Sequence, residues 1–181
     1  MFWLNDYNDH FSMILTSFPI KQIYPNLNFI VQDSNTDMLD EGKKSITDDL
    51  YNRVSYSQHN FFEPQPVKNA AAFLLRQCTH NWADSDVVTI FKGFVPGLET
   101  SSTETPLLIN DIIIPESGTR PRHEERIVRQ VDLGMMVYCG AKQRTKAEFE
   151  TLLKEADERY EVQNVFDNGP LGILEVYLRR S

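Results

Sequence analysis

Pro106-Leu-Leu-Ile-Asn-Asp-Ile-Ile-Ile114, stopped by Pro115, is the strongest strand signal in the chain. Short apolar runs of this kind alternate with amphipathic stretches on both sides of it. That alternation argues for βα units and a mostly parallel sheet. Upstream, Leu27-Asn-Phe-Ile-Val-Gln32 reads as a strand ending at Asp33, residues 36–52 as a surface helix, and Val54-Ser-Tyr56 as a short strand. Phe61-Phe-Glu-Pro-Gln-Pro66 is a loop, because Pro64 and Pro66 exclude regular helix. Ala70-Ala-Ala-Phe-Leu-Leu75 has the composition of a fully buried run, and Asp84 is placed to cap a helix over 85–94. Downstream, 123–138 fits a helix in which Met135 and Met136 are expected in the core. Thr145-Lys-Ala-Glu148 is a capping box for a helix with Phe149, Leu152, Leu153 and Ala156 on one face. Tyr160–Phe166 and Gly172–Leu178 flank Asp167-Asn-Gly-Pro170, the pattern of an antiparallel hairpin at one end of the sheet. Residues 1–18 are ambiguous, with Phe11, Met13, Ile14 and Leu15 suggesting a short helix.

Composition narrows the function classes. The 181 residues carry a formal charge of −8, with 41% hydrophobic and 24% charged residues, which suits one globular domain rather than a disordered chain. The acidic balance argues against nucleic acid and against a polybasic membrane anchor. Cys78 and Cys139 lie far apart in apolar runs, and are expected as buried free thiols in a reducing compartment. No apolar run reaches the roughly 20 residues of a membrane span, and the N-terminus lacks a basic stretch before an apolar one. A cytoplasmic protein is therefore expected. His10, His59 and His123 have no ligand-like spacing, so no metal is expected. Only Gly42 precedes Gly93, which excludes a glycine-rich phosphate or dinucleotide loop in the first half.

In open α/β sheets ligands sit beyond the carboxyl ends of the strands. The residues there are Asp33, Asn60, Arg76 to His80, and Asn110 to Asp111. His80 follows a strand by a few residues and suits a general base, or a hydrogen-bonded structural histidine. Asp111 interrupts an apolar strand. It either orients an imidazole and stabilises its cation, or meets water where the strand frays. Asp33 either accepts both hydroxyls of a ribose or caps a helix.

Read together, several segments resemble a known family. Phe29-Ile-Val-Gln-Asp33, His59-Asn-Phe-Phe-Glu-Pro-Gln-Pro66, Leu74-Leu-Arg-Gln-Cys-Thr-His-Asn-Trp82 with Asp84, Leu108-Ile-Asn-Asp-Ile-Ile-Ile-Pro115 and Lys142-Gln-Arg-Thr-Lys-Ala-Glu-Phe149 occur in order. They resemble the plant and fungal S-adenosylmethionine-dependent O-methyltransferases, particularly the fungal secondary-metabolite branch. The resemblance implies a class I methyltransferase (Rossmann-like) sheet with a C-terminal antiparallel hairpin. It implies methyl transfer from S-adenosyl-L-methionine to a hydroxyl of a small, aromatic acceptor, without a metal. His80 falls on the family's base, Asp111 on the acid that braces it, and Gln143 on a second bracing carboxylate that is an amide here. For the cofactor, Asp33 falls on the ribose-binding acid, Asn60 and Phe61 on the pair flanking the adenine, and Arg76 near the cofactor carboxylate.

Three positions depart from the family pattern. No segment before residue 11 fits its first strand or its glycine loop, His-Asp-Trp has become His80-Asn-Trp82, and Gln143 replaces a glutamate. The expectation is a partial catalytic domain over 19–181, with 1–18 a non-matching remnant and the sheet lacking its first strand. The family's dimerisation domain is unmatched, although a dimer remains an expectation. Three functions stay open: an O-methyltransferase with His80 as base, a truncated non-catalytic remnant, or the same fold recruited to non-methylating biosynthetic chemistry.

Overall fold

Phe73, Leu75, Leu107 and Ile109 alternate with less buried neighbours, and all four are at most 1% exposed. That period of two puts them on one face of a sheet. The computed structural model describes residues 2–4 (backbone only), 26–46, 52–167, 169 and 171–180. Its strands are β1 (Phe2–Leu4), β2 (Phe29–Asp33), β3 (Val54–Gln58), β4 (Phe73–Arg76), β5 (Leu107–Asp111), β6 (Ile113–Ile114), β7 (Arg144–Thr145), β8 (Tyr160–Phe166) and β9 (Gly172–Leu178). Its helices are α1 (Thr36–Lys44), α2 (Asp84–Glu99), α3 (Arg122–Cys139) and α4 (Lys146–Ala156), with a 3-10 turn at Thr79–Asn81.

Seven strands form one sheet in the order β3-β2-β1-β4-β5-β9-β8. β1 to β5 are parallel, and β9 joins β5 antiparallel with Leu107 opposite Val176. β8 and β9 make the expected hairpin, although Asn168 and Pro170 of its turn lie outside the described residues. The core lies where β4, β5 and β9 pack against Val87, Ile90, Phe91 and Phe94 of α2 and Phe149 and Leu153 of α4. Leu174 and Val176 complete that layer.

The first strand is not missing. Phe2–Leu4 fills the centre of the sheet, with Phe2 opposite Val31 on one side and opposite Leu74 on the other. Three residues suffice because both of their edges are paired, and a run this short leaves no periodic trace in a sequence. The helix expected around Phe11–Leu15, and His10, lie outside the described residues.

Other expectations shift for local reasons. Helix α1 ends at Lys44, and Asn35 caps it by accepting the Asp37 amide hydrogen at 2.9 Å; residues 47–51 of the longer helix lie outside the described set. The apolar run at 70–75 enters the sheet only at Phe73. Asp84 is the first residue of α2 rather than its cap, which is Ala83. The run from Leu107 to Ile114 breaks at Ile112, because the Asp111 carboxylate takes the Ile112 amide hydrogen at 2.9 Å and removes it from the ladder. Beyond the break, Ile113 and Ile114 pair instead with Arg144 and Thr145 in a separate two-stranded sheet.

Helix α3 buries no residue, and Met136 is 58% exposed, so the methionine pair is not core. Ile127, Leu133, Val137 and Tyr138 are exposed on the same helix. Cys78 is buried, but Cys139 is exposed at the end of α3. The helix stops at Gly140, whose φ of 64° is the left-handed conformation that glycine adopts without strain. No helix among the described residues is long and apolar enough to cross a membrane.

Candidate active site

The carboxyl ends of β4 and β5 bring together two residues far apart in the chain. His80 Nδ1 lies 2.6 Å from Asp111 Oδ1, and the Asp111 side chain is 1% exposed. Thr79 donates its hydroxyl to the other oxygen, Oδ2, at 2.6 Å. With the Ile112 amide on Oδ1, this buried carboxylate accepts from its surroundings on both oxygens. A buried charge needs such partners. Asp111 is therefore neither solvated nor frayed.

The turn that carries His80 is shaped by its backbone. Gln77 has φ of 46°, a left-handed conformation uncommon for a residue with a side chain. Its amide donates to the Asn110 carbonyl at 2.8 Å, so the chain leaves β4 while still tied to β5. The 3-10 turn Thr79–Asn81 follows and presents the imidazole. Arg144 closes the turn from the other side. Although 1% exposed, it donates to the carbonyls of Thr79 at 2.7 Å and Trp82 at 2.8 Å, and pairs with Asp84 at 2.7 Å. Lys142 bridges Asp84 at 3.3 Å and Glu148 at 2.8 Å. Burial pushes both carboxyls up, but Arg144 and Lys142 outweigh it at Asp84, and Lys142 with the Thr145 amide and hydroxyl outweighs it at Glu148, so both lie below their ordinary values.

The Gln143 side-chain oxygen makes no hydrogen bond to the imidazole. The Gln143 backbone amide donates to Asp132 Oδ1 at 2.7 Å, while the side-chain oxygen is buried without a hydrogen-bond partner. The indole nitrogen of Trp82 is likewise buried and unpartnered.

The remaining candidates line the same edge of the sheet. Asp33 ends β2, where burial raises its carboxyl above the usual value despite the Asn35 and Ser34 amides that favour its charged form. It accepts the Asn35 amide at 2.7 Å but does not cap α1. Arg76, opposite Leu4 of β1, donates from Nε to Asn110 Oδ1 at 3.1 Å. It stands where the strand order reverses direction, the point at which such sheets take ligands. Asn60 spends its side-chain oxygen within its own turn, on the Phe62 amide at 3.1 Å. Phe61 is 6% exposed and packs edge-on against Trp82 at 5.7 Å, so its ring belongs to the core; its neighbour Phe62 meets the same indole at 4.9 Å.

Reasoning from the sequence placed Thr79 within the strand-end segment Arg76 to His80 without giving it a role, and missed Arg144 and the buried pair Gln32–Gln65, in which Gln65 donates to Gln32 Oε1 at 3.0 Å. A hydroxyl adjoining His80 was a usable signal for Thr79. Nothing in the pattern around Arg144 marks it as buried, because arginines are mostly exposed.

The profile of the O-methyltransferase domain matches residues 17–158. The O-methyltransferase sol2 of Alternaria solani is 53% identical over 169 residues, covering 93% of this chain and 38% of the relative. The O-methyltransferase aurJ of Gibberella zeae is 37% identical over 157 residues, covering 82% and 35% respectively. The chain thus spans well under half the length of these relatives. In fold, the mitomycin 7-O-methyltransferase MmcR superposes with a TM-score of 0.74 at 24% identity, covering 90% of this chain and 45% of that one. LepI, solved in complex with S-adenosylmethionine, superposes with a TM-score of 0.75 at 24% identity over 91% of this chain and 40% of its own. The profile match spans more than half of the chain: it belongs to the O-methyltransferase domain family.

Proposed function

We propose that the chain carries out S-adenosylmethionine-dependent methylation of a hydroxyl group on a small aromatic acceptor, with His80 as the general base. The observation that carries this reading is the 2.6 Å contact between His80 Nδ1 and Asp111 Oδ1 at the carboxyl edge of the sheet. An ionised carboxylate only accepts hydrogen bonds, so Nδ1 holds the ring proton and Nε2 is the nitrogen that takes one from a hydroxyl. Asp111 keeps the ring in that tautomer and stabilises the cation that forms.

S-adenosylmethionine supplies, when bound, a methyl group on a sulfonium that is electrophilic without further activation. The chain's own task is then to deprotonate the acceptor oxygen, align it and exclude water. The donor set fits this cofactor in part. Asp33 offers a buried carboxylate at the end of β2 for the ribose hydroxyls, and Arg76 stands at the reversal of strand order as a partner for the cofactor carboxylate. Asn60 and Phe61 would have to release their present contacts to flank an adenine. The half-buried Phe62 and Trp82 rings beside the His80 turn supply apolar, aromatic surface for an acceptor of the same character.

The test is calorimetric titration with S-adenosylmethionine and S-adenosylhomocysteine, followed by transfer of a labelled methyl group to a panel of small phenols. Binding is expected, and transfer is expected to vanish in His80→Ala with binding retained. No binding at millimolar cofactor would instead support the non-catalytic reading. Binding with turnover of a pathway intermediate, but without label transfer, would support recruitment to other chemistry.

A further inference from the structure

We propose that Arg144 is a positioning residue for His80, a role that rests on the reading of His80 as the base. The guanidinium is 1% exposed, yet its carboxylate partner among the described residues, Asp84, is 47% exposed. Burying a charge against so open a partner is a poor route to stability. Its other hydrogen bonds explain the placement. Nη1 donates to the Thr79 carbonyl at 2.7 Å and Nη2 to the Trp82 carbonyl at 2.8 Å, the residues that bracket His80-Asn81. Nη1 also reaches the Lys142 carbonyl at 3.3 Å, tying the turn to the strand before α4.

The clamp and the carboxylate share one frame. β7 pairs with β6 so that Arg144 stands opposite Ile113, two residues beyond Asp111. Thr79 is consequently held at both ends, by Arg144 on its carbonyl and by Asp111 on its hydroxyl at 2.6 Å. With Thr79 and Trp82 fixed, the imidazole meets Asp111 without searching for it. Only a planar fork reaches two divergent carbonyls and a carboxylate together, which a lysine ammonium cannot do.

Arg144→Lys keeps the charge beside Asp84 but loses the fork. In the nuclear magnetic resonance spectrum of the 181-residue chain, the His80 Nδ1–H proton is expected far downfield in the wild type. It is expected to be lost in Asp111→Ala, which removes the acceptor, and lost or strongly broadened in Arg144→Lys. In cofactor-binding, active protein, Arg144→Lys should lower kcat by at least about tenfold with KM for S-adenosylmethionine unchanged. A folded Arg144→Lys that retains the downfield proton overturns the proposal. Should the variant fail to fold, the wild type decides. Separate, slowly exchanging Arg144 Nη resonances with scalar couplings to the Thr79 and Trp82 carbonyls support the clamp, and a freely rotating guanidinium overturns it. These resonances are independent of methyl transfer. Absent turnover with the clamp intact would therefore count against His80 as base, not against the positioning of its ring.

Discussion

One carboxylate, that of Asp111, receives the His80 ring, the Thr79 hydroxyl and the Ile112 amide. An amide in its place keeps its oxygen at the Oδ1 position, where His80 and the Ile112 amide both meet it, and turns its NH2 toward the Thr79 hydroxyl; what is lost is the negative charge that stabilises the imidazolium. Asp111→Asn should therefore lower kcat by about 10² to 10⁴-fold while the protein remains folded, read from initial rates and a thermal melt. Asp33 poses the opposite problem. Burial raises its folded pKa above the unfolded value, so its ionised form opposes folding at neutral pH, and that opposition fades as pH falls through the folded pKa. Asp33→Asn should raise Tm at pH ~7, with the gain shrinking as pH approaches the ordinary carboxylate value of about 3.9. The same substitution should weaken S-adenosylmethionine binding by calorimetry. A buried carboxylate held at a cost to the fold is the pattern of functional sites, which supports the proposed ribose role of Asp33.

The helices show where packing overrides local preference. Gly93 sits inside α2, where alanine would be favoured by about 1 kcal/mol on propensity alone. A Cβ there would lie 2.9 Å from the Phe61 carbonyl oxygen and 3.0 Å from that of Glu63, both backbone atoms of the loop beside Asn60. Gly93→Ala should destabilise the protein in a denaturant titration, the reverse of the propensity rule, because that loop must move. Thr145 is the opposite case, a cap visible from its spacing. Its hydroxyl oxygen accepts the Glu148 amide at 3.2 Å while Glu148 answers on the Thr145 amide at 2.8 Å. Thr145→Ala should cost about 1 kcal/mol in the same titration.

Thr145 contrasts with what the sequence concealed, the close approach at Gly93 included. Capping boxes, the hairpin and the cluster of His80 with Asp111 follow from residue types at short range or from strand ends. The exposed apolar face of α3 and the burial of Arg144 do not, because each depends on partners distant in the chain. The break at Ile112 was equally hidden, since Leu107 to Ile114 reads as one strand until the Asp111 side chain captures the next amide.

At the scale of the molecule, the sheet has two unequal parts. β4, β5, β9 and β8 share the main core with α2 and α4 and carry His80, Asp111 and Arg76, while β2 and β3 carry Asp33 and lead to Asn60. Among the described strands, β1 alone pairs with a strand of each part, through three residues, while the loop after β3 is tied to α2 by the Gln65 amide on the Gly93 carbonyl at 2.8 Å. The Gln65–Gln32 bond is a side-chain tie between β2 and the loop that follows Asn60. A part of the sheet that lies outside the main core is where partial opening starts. Backbone amides of β2 and β3 should exchange hydrogen faster than those of β5 and β9, and bound S-adenosylmethionine should slow the former more than the latter. On the proposed placement, a cofactor touching Asp33 on one part and Arg76 on the other would span this junction from outside, as a rivet spans a seam. The cofactor's binding energy then serves cohesion as well as chemistry, so the exchange-protection difference between the two parts becomes a gauge of occupancy that needs no acceptor and no turnover.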